Sequence, residues 1–179
     1  MSIVRWGILS SSNFAQTKVI PALLKSNHLQ VLGIASRDAE KARALSSKFG
    51  FPKSYSSYEE LLGDPEIEVV YIPTPNHLHV DLSIKALEAG KHVLCEKPIG
   101  LNAKDAERLA EASRRFPQQK VMEAFMYRLH PQWRKTVQLV RDGAIDDAYR
   151  ERLAGYLTKA MREMKVYTTW TETDEAVEG

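Results

Sequence analysis

Cys95-Glu96-Lys97-Pro98 places two charged residues at the end of a short apolar run, His92 to Cys95. A buried strand that delivers adjacent charges to an edge is expensive, because desolvation costs several kcal/mol per ion unless the charges are paired or used. A lysine at that edge can hold a substrate hydroxyl or carbonyl. With a lowered pKa it can also pass a proton while hydride moves. At the level of residue types the competing reading is a structural ion pair between Glu96 and Lys97. Cys95 itself is read as a small buried residue and not as a nucleophile.

Three other polar loops also follow apolar runs. Ser10-Ser11-Ser12-Asn13-Phe14-Ala15 comes after Ile3 to Leu9. Small residues there let the backbone turn tightly and bring N–H groups to a pyrophosphate at a helix N-terminus. Two of the serines occupy places where G-x-G-x-x-G/A has glycine; the alternative is that they only cap the helix. Ser36-Arg37-Asp38 follows Gln30 to Ala35, where an acid would bind the ribose 2′-hydroxyl of NAD and an arginine the 2′-phosphate of NADP. NADP is therefore favoured over NAD, against the alternative that Arg37 is a solvated surface charge. In Pro73-Thr74-Pro75-Asn76-His77-Leu78-His79 the prolines fix an extended path suited to a ribose or nicotinamide, and Asn76 or His77 can open the next helix. His79 is read either as a capping or surface histidine or as part of a substrate cleft. His77 and His79 do not share a helix face, so no metal site is expected.

These loops need a scaffold that gathers them, and the alternation of short apolar runs with stretches of helical period supplies it. Strands are expected at Ile3 to Leu9, Gln30 to Ala35, Val69 to Ile72, His92 to Cys95 and Val121 to Met126. Between them run helices carrying Ala15, Val19, Ala22 and Leu23; Ala42, Leu45 and Phe49; Val80, Ile84 and Leu87; and Ala106, Leu109 and Ala110 on their inner faces. Pro21 should kink the first of these. Asp38 and Asn102 are placed to cap helices, and Gly50 and Gly90 to end them. In an open sheet of this kind, ligands bind beyond the carboxyl ends of the strands, so the polar loops belong to one site.

From Pro131 the pattern is helical only, with Trp133, Val137 and Val140 at near-helical spacing and a second stripe of Tyr149, Leu153, Tyr156, Leu157, Ala160 and Met164. The expected organisation is a dinucleotide-binding domain over 1–130, a helical extension over 131–167 and a polar tail over 168–179. The fold class is α/β, a doubly wound parallel sheet with a C-terminal helical extension.

The 179 residues are 44% hydrophobic and 27% charged, enough for one domain with a sizeable core. The 25 Lys and Arg against 23 Asp and Glu leave a net charge of only +2, so no summed field attracts nucleic acid or an anionic membrane. No window reaches the ~18 apolar residues of a membrane span. One cysteine allows no intrachain disulfide and fits a reducing, cytoplasmic compartment.

Taken together, Arg5-Trp6-Gly7-Ile8-Leu9-Ser10, Ile20-Pro21-Ala22, Ala35-Ser36-Arg37, Pro73-Thr74-Pro75-Asn76 with His79, Gly90-Lys91-His92-Val93, Glu96-Lys97-Pro98 and Met122-Glu123-Ala124-Phe125-Met126-Tyr127-Arg128 resemble the Gfo/Idh/MocA sugar and diol dehydrogenases. The similarity is closest to the branch of dihydrodiol dehydrogenases and NADP-dependent xylose or glucose dehydrogenases, in which serine or alanine commonly replaces the fingerprint glycines. The resemblance implies that Lys97 is the active-site lysine and that Ser36 and Arg37 meet the 2′-phosphate. It further implies that Pro73, Thr74, Asn76 and His79 line the cofactor cleft, that Glu96 lies beside the ribose, and that Arg128 and His130 belong to a segment closing over the cofactor.

Family members continue into a second α/β domain that supplies a histidine and an aspartate facing the lysine. Here the last histidine is His130, and 146–179 lacks the family's Gly-Gly and Asp-x-Gly-x-His pattern. The second domain is thus expected to be absent. A sugar or diol substrate is expected only where such a domain is supplied, and two functions stay open: an oxidoreductase half, or a noncatalytic NADP-binding sensor or scaffold. The stripe of the 147–165 helix is expected either to cover apolar surface within the chain or to pair two chains into a homodimer, the dimer being preferred.

Overall fold

Successive residues of a strand point to opposite faces, so a strand covered by helices on both sides must be apolar at every position. That is how this chain builds its centre in a computed structural model, which describes residues 3–143 and Glu151. Six parallel strands run β1 Val4–Leu9, β2 Leu29–Ala35, β3 Lys53–Tyr55, β4 Val69–Ile72, β5 His92–Cys95 and β6 Val121–Glu123. Their order in the sheet is β3-β2-β1-β4-β5-β6. This is the doubly wound order whose direction reverses between β1 and β4, where a crevice opens at the carboxyl ends.

The two faces carry separate cores. Ile8, Val31, Ile34 and Tyr71 point to one side, where they meet Ala15, Ile20 and Leu45. Leu9, Leu32, Ala35, Val70 and Ile72 point to the other, against Leu61, Leu62, Val80, Leu87 and Leu109. Each large side chain fully buried in this way contributes roughly 1.5–3 kcal/mol.

The helices are α1 Ile20–Leu23, α2 Ala39–Phe49, α3 Tyr58–Leu62, α4 His79–Glu88, α5 Ala103–Arg115 and α6 Pro131–Arg141. Asp38 caps α2 by accepting from the N–H groups of Glu40 and Lys41, and Asn102 caps α5 through Asp105 N–H. Gly50 and Gly90 end their helices at φ +72° and +76°, as expected. The irregularity expected at Pro21 takes the form of a π-helical turn, Ala15–Val19, in which Ile20 N–H reaches back to Ala15 O. Pro21 follows at once and has no N–H with which to continue a regular ladder. The wider turn changes the inward register, so Ile20 is buried whereas Ala22, expected inside, is exposed. Ala110 is exposed too, and Ala112 takes the inner place on α5.

Two short elements, β3 and α3, fill the stretch between α2 and β4. Gly33 makes room for β3: a Cβ there would come within 2.6 Å of Lys53 O and 2.8 Å of the Tyr55 ring. The expected strand Val121 to Met126 stops at Glu123 and gives way to a 3-10 turn, Met126–Leu129. The chain divides after Phe125 into two compact units. In the second, α6 carries Trp133 and Val137 half-exposed and Val140 partly covered. The stripe from Tyr149 to Met164 lies outside the described residues. No helix among the described residues is long and apolar enough to cross a membrane.

Candidate functional site

A cleft of about 630 Å³ opens at the carboxyl ends of β1, β2 and β4. Ser10, Ser11 and Ser12 line it from the loop after β1, Ser36 and Arg37 from the end of β2, and Pro73 and Thr74 from the end of β4. These seven come from three loops far apart in sequence, and the strand order alone brings them together. The two readings of the serine loop coexist. Ser12 Oγ accepts the Ala15 N–H at 3.1 Å and so caps the helical turn, while all three serines face the cleft. Ser10 has φ +142°. That backbone region suits glycine and strains any residue with a Cβ, and the fingerprint of a dinucleotide loop has its first glycine at this turn.

Ser36 is buried and ties the corner together. Its Oγ accepts from Asp38 N–H at 3.2 Å and lies 3.5 Å from Ser11 Oγ. Thr74 is 5% exposed, and its hydroxyl has no hydrogen-bond partner among the described residues. A buried hydroxyl without a partner is costly, and its place in the lining fits a polar ligand in the cleft. Asp38 and Pro75 line the cleft as well, from the two loops expected to form it, and they are joined by Lys41 and Tyr58, which no sequence motif indicated. Lys41 stands one helical turn beyond Arg37, a spacing that could have suggested it. Tyr58 opens the unexpected helix α3.

The Glu96-Lys97-Pro98 loop leaves the next strand along the same edge. Ile72 pairs with Cys95, so the Pro73 and Glu96 loops start at the same level. Lys97 is exposed, and the Lys97-Pro98 peptide is cis. Four contacts fix the loop: Glu96 N–H donates to Ile72 O at 3.1 Å, and Tyr71 hydroxyl donates to Glu96 Oε1 at 2.7 Å. Ile99 N–H donates to Glu123 Oε1 at 2.7 Å, and His79 Nδ1 lies 2.7 Å from Pro98 O. Burial and the Glu96 carboxylate push the Tyr71 phenol well above its ordinary pKa. Burial likewise pushes the Cys95 thiol up to about 12, which keeps it protonated and inert.

His79 is fully buried, with its Nε2 2.8 Å from Thr74 O. It therefore neither caps a helix from the surface nor lines the cleft, but bridges the loop after β4 to the loop after β5. Asn13, Phe14 and Asn76 are exposed at the starts of their helical turns. Arg128 belongs to the second unit, where with Tyr127, Trp133, Arg134, Val137 and Arg141 it lines a groove of about 420 Å³. His130 caps α6, its Nδ1 accepting from Gln132 N–H at 3.2 Å.

Known proteins match this arrangement. Residues 4–125 match the sequence model of a family described as an oxidoreductase family with an NAD-binding Rossmann fold. An uncharacterized oxidoreductase of Rhizobium meliloti is 49% identical over 147 residues, 82% of this chain and 44% of that protein. D-xylose 1-dehydrogenase (NADP(+)) 2 of Haloferax volcanii is 41% identical over 135 residues, 75% of this chain and 41% of that protein. Among solved structures, KijD10, a 3-ketoreductase from Actinomadura kijaniata in complex with TDP-benzene and NADP, superposes with a TM-score of 0.74 at 34% identity. It covers 80% of this chain and 45% of its own. The chain thus spans less than half the length of these relatives.

Proposed function

This chain belongs to the Gfo/Idh/MocA oxidoreductase family, and on that premise we propose that its cleft holds NADP for hydride exchange at a secondary alcohol or carbonyl carbon of a sugar or diol. The observation that carries the reading is the corner at the end of β2, where Ser36, Arg37 and Lys41 line one wall of the cleft. A hydroxyl, a guanidinium fork and an ammonium there suit a 2′-phosphate. The relative named as NADP-dependent and the NADP complex of KijD10 support that choice; the xylose dehydrogenase supports a sugar, and human trans-1,2-dihydrobenzene-1,2-diol dehydrogenase, 41% identical over 149 residues, 80% of this chain and 43% of that protein, supports a diol.

The Ser10 to Ser12 loop offers backbone N–H groups and hydroxyls to the pyrophosphate at the start of the first helical turn. Thr74 gives its unpartnered hydroxyl to the dinucleotide, and Glu96, held by Tyr71, lies beside the ribose. The nicotinamide, when bound, supplies or accepts the hydride. Lys97 holds the substrate oxygen and exchanges a proton with it at Nζ.

Titration with NADPH and NADH, followed by nicotinamide fluorescence, tests the cofactor assignment. NADPH should bind more tightly, and Arg37→Ala should remove about tenfold of that preference, the scale of one charge-assisted hydrogen bond. Equal affinities in the unsubstituted protein would refute the assignment. Lys97→Ala should keep the fold and cofactor binding but abolish turnover once a substrate domain is supplied; an unfolded variant would instead assign the lysine to a structural ion pair. Cofactor binding with no turnover under those conditions would favour the sensor or scaffold function. The homodimer through 147–165 is part of the proposal, and light scattering on a chain ended at Ala144 should then report a lower mass.

A further inference from the structure

Along α6, Trp133 and Val137 stand four residues apart and Arg134 and Arg141 seven apart, so one face carries apolar and cationic groups in adjoining rows. With Tyr127 and Arg128 they line the groove of about 420 Å³ in the second unit. The Tyr127 and Trp133 rings meet edge to face with centroids 5.6 Å apart, which holds the indole in place. Even so, Trp133 and Val137 stay 49% and 46% exposed. None of the three groove arginines makes an ion pair among the described residues. Residues 126–143 hold four cations, Arg128, Arg134, Lys135 and Arg141, against the single acid Asp142, whose Oδ1 accepts from Gln138 Nε2 at 2.7 Å. An occupant of this groove must therefore bring negative charge and an apolar or aromatic group together.

The sequence itself holds such a stretch. Positions 144–165 mix five Lys and Arg with four Asp and Glu, whereas 166–179 have four acids, no Lys or Arg, and Trp170. Glu172, Glu175 and Glu178 recur every third residue, so they share one face in an α-helix and equally in an extended chain with three residues per turn. We propose that the 168–179 stretch docks in the α6 groove of its own chain, with Trp170 against Trp133 and Val137 and the glutamate face against Arg134 and Arg141. Glu172 lies 29 positions beyond Gly143. Even at the helical rise these span about 43 Å, against about 16 Å for the whole of α6, so length does not prevent the return. Exposed ion pairs are individually weak. A tether offsets this by raising the local concentration of the occupant to about the millimolar range. The inference does not depend on the cofactor assignment.

A nitroxide attached through Ala176→Cys tests the docking in the full chain, because Cys95 is buried and protonated and does not compete for the label. The Trp133 indole N–H signal, assigned with Trp133→Phe, should lose most of its intensity and recover when the nitroxide is reduced. The loss should shrink at ~1 M salt, where the Debye length is about 3 Å. Glu172→Gln with Glu175→Gln, a change that removes charge without altering α6, should shrink it too. Arg134→Glu with Arg141→Glu should abolish it, and adding Glu172→Arg with Glu175→Arg should restore it. An unbroadened Trp133 signal at low salt, or broadening indifferent to these charges, overturns the proposal. Broadening of equal size when label and isotope are placed on different chains overturns docking within the chain and makes a second copy the occupant.

Discussion

Ser10→Gly should make the protein more stable. At φ +142° the serine occupies a backbone region that is nearly glycine's alone, and holding a residue with a Cβ there costs on the order of 1–3 kcal/mol. Glycine releases that strain but brings a more flexible unfolded chain, a penalty of about 0.5–1 kcal/mol. Ser10 is half-buried at the end of β1, so losing its hydroxymethyl group removes little packing. The net expectation is a gain of about 0.5–2 kcal/mol, or a Tm rise of roughly 2–6 °C for a chain of this size. Urea unfolding at constant m-value and scanning calorimetry measure it, and Ser10→Ala, which keeps the Cβ, should show no gain. A Ser10→Gly protein with an unchanged m-value and a lower Tm would refute the strain argument. NADPH affinity should hold or improve in the glycine variant, since the loop serves the pyrophosphate chiefly through its backbone.

Tyr71→Phe deletes one buried hydroxyl that donates to Glu96 at 2.7 Å. Because Glu96 is partly solvated, the loss should be about 1–2 kcal/mol by urea unfolding, accompanied by a few-fold weaker NADPH binding; no change in either would show the bond to be idle. Gly33→Ala should destabilise by roughly 1–3 kcal/mol, because the new Cβ meets the Lys53 carbonyl at 2.6 Å; a variant with the native Tm would mean that β3 moves aside freely. For Asp64, burial alone would raise the pKa, but the Lys53 ammonium, the Tyr55 hydroxyl and the Glu66 N–H outweigh it and hold it down to about 2. A depressed carboxylate stabilises the fold above its unfolded value of 3.8 and loses that contribution as pH falls through about 2. The urea midpoint should therefore drop between pH 4 and pH 2 by the equivalent of ~2 kcal/mol, and Asp64→Asn should flatten that limb.

The strands that were legible in the sequence are those buried on both faces, because full burial demands an unbroken apolar run. Val69–Ile72, buried at all four positions, has the expected bounds for that reason; His92–Cys95, buried at alternate positions, has them because its short apolar run is closed by Glu96. β3 was not legible: Lys53–Tyr55 is an edge strand with one neighbour, β2, and its residues alternate in burial too briefly to show a period. α3, five residues long, is shorter than any helical repeat that spacing could reveal. β6 read too long because Ala124 to Met126 continues the apolar run, while Phe125 N–H closes onto Glu123 O at 2.8 Å and turns the chain out of the strand.

The site followed the same division. Ser36, Arg37 and Thr74 were visible because they end readable strands, and the sheet rule places strand ends together. Tyr58 was hidden with α3. Tyr71 and Glu123 read as core and as part of a motif, because their partners, Glu96 and Ile99, lie 25 and 24 residues away. His79 could be named from the motif, but its two carbonyl neighbours, Thr74 and Pro98, become visible only when β4 and β5 are side by side.

The π turn at Ala15–Val19 bears on how this segment is compared with others. A π turn holds one more residue than the α turn it replaces, so it behaves as a single-residue insertion absorbed without a loop. An alignment of this helix with a regular one must open a one-position gap between Ala15 and Ile20, although no part of the fold is missing on either side. Ungapped, the alignment would shift every position from Ile20 onward by one, setting exposed Pro21 where buried Ile20 belongs.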